Sequence, residues 1–189
     1  MKRKNRIYAA LVHYPVLNKR GEIVATSITT IDLHDMARIS TTYGVDKFYA
    51  VTPLKAQHKL VGRILNHWMS GFGAEYNSSR KQAFERLMVT NDIDEALEDI
   101  EESTGMKTTV IVTAARSFDN SVSYDKIVRI ISEANEENFL VLFGTGWGLS
   151  DEVVNRADYI LKPIDGGTEY NHLPVRGAFA IILDRLLGR

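Results

Sequence analysis

The chain has 189 residues, no cysteine and a formal net charge of −1. Its length suits one domain that buries most of its apolar surface, and we expect a single domain over residues 1–189. The absence of cysteine excludes disulfides and thiolate metal sites, and a reducing compartment is the simpler assumption. No apolar run approaches the roughly 20 residues of a membrane-spanning helix, so we expect a cytoplasmic protein with no membrane partner.

The small net charge hides two halves of opposite sign. Residues 1–90 carry 14 Lys and Arg against 6 Asp and Glu, whereas residues 91–189 carry 9 against 18. A basic half can attract the phosphate backbone of a nucleic acid even when the whole protein is nearly neutral. The alternative is that the two halves attract each other within the fold and the remaining charges are solvated.

In chain order, apolar runs rich in β-branched and aromatic residues alternate with segments of helical period. The predicted strands are RIYAALVHY, DKFYAVT, a weaker FERLMVT, TTVIVTAA, FLVLF and DYILK. NKRGE after the first strand is typical of a hairpin tip or surface loop, and NHWMSGFGAEYNSSRK is the least regular stretch. The first predicted helix lies between the first two strands, with Asp32 as a candidate N-cap and Gly44 at its end.

Strands that are apolar throughout, each followed by a helix, indicate an α/β fold. We expect a parallel sheet that is flanked by helices on both faces. Ligands of such sheets bind at the carboxyl ends of the strands, where the backbone N–H groups of the next turns are free. Three segments compete for this role and should lie side by side: VTAARSF, FGTGWGLS and LKPIDGGTEYNHLP.

Several common sites are missing from the sequence. No glycine cluster follows the first strand, as a dinucleotide site requires, and no G-x-x-x-x-G-K-[ST] segment predicts a P-loop. No spacing of His, Asp and Glu predicts a metal site, so we expect none.

Three motifs occur in an order and spacing that identify a family. Residues 32–53 read DLHDMARISTTYGVDKFYAVTP, with Arg38, Gly44–Asp46 and Pro53 at the spacing of a first motif. FGTGWGL at 143–149 matches a second motif, and YILKP followed by HLPVRGA matches a third. Together they resemble the ribose-methylating branch of the SPOUT class of RNA methyltransferases. The resemblance implies a C-terminal trefoil knot, S-adenosylmethionine as cofactor, tRNA or rRNA as substrate and a homodimer.

The sequence departs from that branch at several positions. Asp32 stands where the branch has Asn, Pro174 and Arg176 replace Asn and Ser of the third motif, and the glycine turn is shorter and lacks its Glu. These changes leave base methylation open beside ribose methylation, and also a SPOUT module that binds cofactor or RNA without catalysis. The chain is also similar to a SPOUT group that occurs beside, or fused to, tRNA guanine-N1 methyltransferases. A doubly wound nucleotide- or flavin-binding protein is the alternative outside the family.

The resemblance implies two sets of site residues. Arg38 would carry the reaction or position the RNA, acting from the partner subunit, with Asp32 as the second catalytic candidate; a solvated side chain is the alternative for Arg38. The implied cofactor-binding residues are Thr113, Ala114, Phe143, Gly144, Thr145, Gly146, Leu161, Ile164, Gly166, Tyr170, Asn171, His172, Leu173, Val175 and Ala178. We expect His34 and Asp35 to face solvent, and His13 to be a structural histidine.

The final predicted helix, PVRGAFAIILDRLL, is apolar on more than one face. Three residues suit the core, and three more extend the apolar surface around the helix. The first set is Phe179, Ile182 and Leu186, and the second is Ile181, Leu183 and Leu187. One copy of the chain would leave part of this surface in water, so the helix also predicts a homodimer.

Overall fold

The computed structural model describes residues 5–188 and contains one six-stranded sheet and one two-stranded hairpin. The strands are β1 (Arg6–Val12), β2 (Val16–Leu17), β3 (Ile23–Val24), β4 (Lys47–Val51), β5 (Leu87–Thr90), β6 (Thr108–Val112), β7 (Asn138–Gly144) and β8 (Tyr159–Ile160). The large sheet has the order β5-β4-β1-β7-β6-β8, and all its strand pairs are parallel. β2 and β3 form the antiparallel hairpin, whose tip is the NKRGE turn. The predicted parallel sheet is therefore confirmed.

Helices cover both faces of the large sheet, as expected. They are α1 (Thr30–Thr42), α2 (Lys55–Met69), α3 (Phe72–Tyr76), α4 (Ser78–Phe84), α5 (Ile93–Thr104), α6 (Tyr124–Glu133), α7 (Asp151–Asn155) and α8 (Val175–Leu187). One core lies between the sheet and α1, α2, α4, α6 and α8, and the other lies between the sheet, α5, α7 and the hairpin. β1 contributes to both cores, with Ile7 and Leu11 on one face and Tyr8 and Val12 on the other.

The start of α1 differs from the prediction. Thr29 is the N-cap, and its hydroxyl oxygen accepts a hydrogen bond from the backbone N–H of Asp32 at 3.3 Å. Asp32 lies three residues later, and its carboxylate accepts a hydrogen bond from the Thr29 hydroxyl. Thr29 therefore caps the helix while Asp32 lies inside its first turn, so the prediction of Asp32 as N-cap is wrong. At the other end, Gly44 follows the C-cap with φ 65°, as predicted.

His34 is half-buried rather than fully in solvent. Its ring packs edge-on against Trp68 of α2 and Phe84 of α4, with ring centroids 5.4 and 4.8 Å apart. Arg80 donates a hydrogen bond to its Nδ1 at 3.1 Å. Burial, and then the charge of Arg80, lower the pKa of His34. The expectation was wrong because the irregular stretch folds into α3 and α4, and α4 covers this part of α1.

Helix α8 buries more of its surface than the sequence predicts. The three expected core residues are buried, but Leu183 is buried as well, so it does not extend an outer apolar face. Ile181 and Leu187 are half-buried.

The C-terminal trefoil knot, in which the chain would pass through a preceding loop, stays a prediction. Among residues 5–188, none of the helices has the length and apolar character needed to cross a membrane.

Phe179 provides a test of how α8 is held on the sheet. Its ring centroid lies 4.7 Å from that of Phe143 on β7 and 5.7 Å from that of Phe48 on β4. Phe179→Ala should lower the free energy of unfolding by about 3–5 kcal/mol, because it leaves a cavity between helix and sheet. Urea unfolding followed by circular dichroism measures this change. The control is Phe72→Ala, since Phe72 is 73% exposed and its loss should cost less than about 0.5 kcal/mol. Similar losses in both variants would contradict this packing.

Candidate active site

A cavity of about 960 Å³ lies at the carboxyl edge of the sheet. Its walls come from the loop after β6, the glycine turn after β7, the segment after β8 with the start of α8, and the loop between β3 and α1. The three segments that were predicted as ligand-binding candidates, after β6, β7 and β8, therefore lie side by side, as expected. A cavity of this size holds a small organic ligand or cofactor.

Most of the predicted cofactor residues meet in this cavity. Those that line it are Thr113, Ala114, Phe143, Gly144, Thr145, Gly146, Ile164, Asn171, His172, Leu173, Val175 and Ala178. Leu161, Gly166 and Tyr170 do not line it. Leu161 is fully buried in the core below, whereas Gly166 and Tyr170 are exposed. Tyr170 reaches the site only indirectly, through an edge-on contact with His172 at 5.4 Å.

The wall of the cavity is apolar on the side of α8, and it contains both polar and apolar residues on the opposite side. Leu173, Val175 and Ala178 present aliphatic groups to the cavity. Trp147 also lines it and remains 56% exposed, with its ring edge-on to His172 at 5.8 Å. The site therefore combines an aliphatic slot with an aromatic rim.

Two glycines of the turn after β7, Gly144 and Gly146, are required by the packing of the protein itself. A Cβ at Gly144 would lie 2.7 Å from the backbone nitrogen of Leu149. Gly146 has φ 59°, and a Cβ there would lie 2.9 Å from the carbonyl oxygen of Leu17 on β2. The backbone N–H of Trp147 donates to the same carbonyl at 2.9 Å. The turn is thus held against the hairpin, which keeps this wall of the cavity in place.

A chain of hydrogen bonds fixes the tautomer of neutral His13, which follows β1 and lines the cavity. The Thr145 hydroxyl donates to the carbonyl of Val12 at 3.0 Å, so the Thr26 hydroxyl donates to Thr145. The Thr26 oxygen then accepts from Nδ1–H of His13, at 3.0 Å. Nε2 is left as a buried acceptor without a hydrogen-bond partner among the described residues. Burial lowers the pKa of His13 to about 4, although nearby Asp32 opposes the shift.

The two catalytic candidates lie on opposite sides of one wall. Asp32 lines the cavity, whereas Arg38 lines a shallow neighbouring cavity of about 400 Å³ between α1 and α8. Arg176 lies in this second cavity, and its Nη1 is 3.2 Å from Oδ1 of Asp32. Its Nε is 3.8 Å from Asp35, which is half-buried rather than fully in solvent. Within one protomer, the structure does not bring Arg38 to the predicted cofactor residues.

His13, Thr26 and Glu169 are among the polar residues that line the cavity but were not predicted as site residues. His13 could have been found, because the rule that ligands bind at carboxyl ends of strands also applies to the first strand. Thr26 reaches the site through the hairpin, which gave no sequence signal for it. Glu169 makes no hydrogen bond or ion pair in the part of the chain that the structure describes. Its carboxylate therefore gives the cavity an unpaired negative charge.

Comparison with known proteins identifies the family. Residues 6–188 match a family described as SAM-dependent RNA methyltransferase. A protein of Aquifex aeolicus is 40% identical over 183 residues, which are 97% of this chain and 89% of that protein. A tRNA (guanine-N(1)-)-methyltransferase of Nitratidesulfovibrio vulgaris is 44% identical over 182 residues, or 96% of this chain. The chain spans only 42% of the length of that methyltransferase.

Solved structures show the same fold. The TrmH/SpoU tRNA modifying enzyme of A. aeolicus superposes with a TM-score of 0.56 at 15% identity, over 98% of this chain and 75% of that one. This chain therefore has the SPOUT fold that the sequence motifs predict. The family match favours RNA methylation over the nucleotide- or flavin-binding alternative.

The neutral His13 makes stability depend on pH. The unfolded chain takes up a proton near pH 6.5, whereas the folded chain resists protonation down to about pH 4. The free energy of unfolding should therefore fall as the pH drops between these values, by about 3 kcal/mol in total. Urea unfolding across this range should show a weaker pH dependence for His13→Asn, which keeps a donor for Thr26 and does not titrate. The control is His67→Asn at an exposed site. An unchanged pH dependence in His13→Asn would contradict the assignment.

Proposed function

The chain belongs to the family of S-adenosylmethionine-dependent RNA methyltransferases, and we propose that the cavity binds the cofactor and that tRNA in the cytoplasm is the substrate. The choice of tRNA rests on the relative from N. vulgaris, whose name states that substrate. That name belongs to the longer protein, so it supports the choice only by similarity. The observation that carries the proposal is the meeting of twelve predicted cofactor residues in one cavity.

The residues of the cavity suit the chemical groups of the cofactor. S-adenosylmethionine, when bound, supplies a methyl group on a positively charged sulfur. The aliphatic slot formed by Leu173, Val175 and Ala178 fits a flat adenine ring. The carboxylate of Glu169 lines the cavity and offers a partner for positive charge. Arg116, the basic residue of the same wall, is paired with Asp151 at 2.6 Å and adds little net repulsion.

A homodimer would bring Arg38 to the reaction. Arg38 is exposed on α1 and does not line the larger cavity of its own chain, so in the proposed dimer it would act on the larger cavity of the partner subunit. Ile31 lies two turns earlier on the same helix and is 54% exposed, which suits a protein contact. Helix α8 packs beside α1 and leaves Ile181 half-buried. We place the dimer contact on this α1 and α8 surface.

The proposed role of Arg38 is to hold the RNA. Methyl transfer needs the accepting atom in line with the methyl group, so positioning supplies much of the rate. A guanidinium can hold a phosphate or a base carbonyl through two parallel hydrogen bonds. Asp32 pairs with Arg176 and so orders the second guanidinium beside Arg38. Asp32 also lines the cavity, where its carboxylate could accept the proton that the substrate loses.

The activity is tested with RNA from a strain that lacks the protein. The purified chain and radiolabelled cofactor should transfer label to the tRNA fraction, and nuclease digestion then locates the modified nucleotide. Label in rRNA alone would contradict the proposed substrate. Tight cofactor binding without transfer to any RNA would instead support the catalytically inactive module.

Cofactor binding is tested by filling the slot. Ala178→Trp should abolish S-adenosylmethionine binding in calorimetry, because the indole would occupy the aliphatic side of the cavity. Gly144 is unsuitable for this test, since any Cβ there meets the backbone of the turn. The control is Ala56→Trp, at an exposed position of α2 that does not line the cavity. Unchanged affinity in Ala178→Trp would place the cofactor elsewhere.

The role of Arg38 is tested by separating transfer from binding. Arg38→Ala should lower methyl transfer by about 100-fold or more, the range for loss of a positioned catalytic group. Folding, dimerisation and cofactor affinity should stay close to wild type, because the side chain is exposed and outside the cavity. Arg129→Ala, at an exposed position of α6, is the matched control. A parallel loss of cofactor affinity would show that Arg38 belongs to the cofactor site.

The variant Asp32→Asn tests whether the Asp32 carboxylate accepts a proton during methyl transfer. Asn keeps the size of the side chain but removes the charge that pairs with Arg176. If Asp32 accepts a proton, the variant should bind cofactor normally and transfer methyl groups much more slowly. A normal transfer rate would leave Asp32 with only its helix-capping role.

A further inference from the structure

Two aromatic side chains on α3 stand together in solvent, away from the cavity. Phe72 is 73% exposed and Tyr76 is 80% exposed. They lie one helical turn apart, and their rings stack with centroids 5.8 Å apart and an interplanar angle of 19°. None of the described residues buries either ring. Adjacent exposed aromatic rings of this kind are typical of a surface that binds another molecule.

The chain holds this aromatic pair rigidly. Gly73, between the two rings, is buried, and a Cβ there would lie 2.8 Å from the side chains of both His67 and Trp68. Trp68 in turn stacks on the buried Phe84, with ring centroids 6.1 Å apart. Helix α3 is therefore pressed onto α2 through its glycine side, and this contact directs the two aromatic rings outward.

A row of positive charge leads to the aromatic pair. Lys55, Lys59, Arg63 and His67 are exposed and follow one another at intervals of four residues, so they share one face of α2. Residues 55–84 contain five Lys and Arg and a single acidic residue, Glu75. Neither Lys59 nor Arg63 forms an ion pair with a described carboxylate. These cations are therefore available to an external anion.

We propose that α2 and α3 form a docking surface for a single-stranded segment of RNA. One base stacks on an outer face of the Phe72 and Tyr76 ring pair, and the adjoining phosphates lie along Lys59 and Arg63. Aromatic rings stack with any base, and rows of cations follow the phosphate backbone. The bases of a duplex are already stacked, which is why the surface suits an unpaired segment. The inference rests on the proposed function insofar as RNA is the substrate, but it concerns a surface outside the cavity.

The test measures RNA binding separately from methyl transfer. The probe is a short, fluorescently labelled, single-stranded RNA, and the readout is anisotropy at several salt concentrations. The double variant Phe72→Ala/Tyr76→Ala should weaken binding of this RNA about tenfold or more, with cofactor affinity unchanged. A duplex of the same length should be affected much less.

Charge reversal gives the second measurement. Lys59→Glu/Arg63→Glu should weaken binding and flatten its salt dependence, because fewer counterions are released. The matched control is Lys126→Glu/Arg129→Glu at exposed positions of α6, which changes the net charge equally and should leave RNA affinity close to wild type. Equal losses in both charge variants would mean that only the overall charge matters and would overturn the proposal.

The outcomes distinguish this inference from the proposed function. Loss of RNA binding in the aromatic variant of a chain that methylates no RNA would support the surface and contradict the activity. Normal RNA binding in that variant, with methylation intact, would overturn the surface and leave the activity standing. A change in molar mass by light scattering without a change in RNA affinity would assign the rings to a contact between two copies, and would also overturn the proposal.

Discussion

The pairing of β1 on both of its edges is the constraint on which the rest of the structure depends. β1 pairs with β4 on one side and with all seven residues of β7 on the other, and its two faces contribute to separate cores. A strand buried in this way can vary neither its register nor its direction without exposing apolar residues. Its carboxyl end therefore fixes the positions of His13 and of the glycine turn after β7, and it fixes with them the floor of the cavity.

The sequence predicts best those elements whose pattern is set by burial alone. The strands of the large sheet are apolar runs because both faces are covered, so they could be recognised without knowledge of their neighbours. His34, Asp32 and Leu183 were interpreted wrongly because each depends on a partner distant in sequence or on the choice between adjacent caps. His34 is partly covered by Phe84 and Arg80, about 50 residues later in the chain, and the helix begins early enough that Thr29 is the cap.

The candidate site also contains some residues that the sequence could predict and others that it could not. Residues on the turns after β6 and β7 could be predicted, because they directly follow strands whose ends share one edge of the sheet. Thr26 could not, since it reaches the cavity only through the fold of the hairpin, where it bonds to Thr145. The docking surface on α2 and α3 was hidden for a related reason: neither its exposed aromatic pair nor its unpaired cations follow from the irregular sequence pattern of that stretch.

The ion pair between Asp32 and Arg176 makes the two cavities share one wall. Asp32 lines the larger cavity and Arg176 lines the smaller one. A cation bound to Asp32 would compete with Arg176 for the carboxylate, and an anion bound to Arg176 would compete with Asp32 for the guanidinium. Any such effect is thermodynamically reciprocal: the ligand of each cavity changes affinity for the other by the same factor. A single pair of side chains would therefore couple a ligand of one cavity to a ligand of the other.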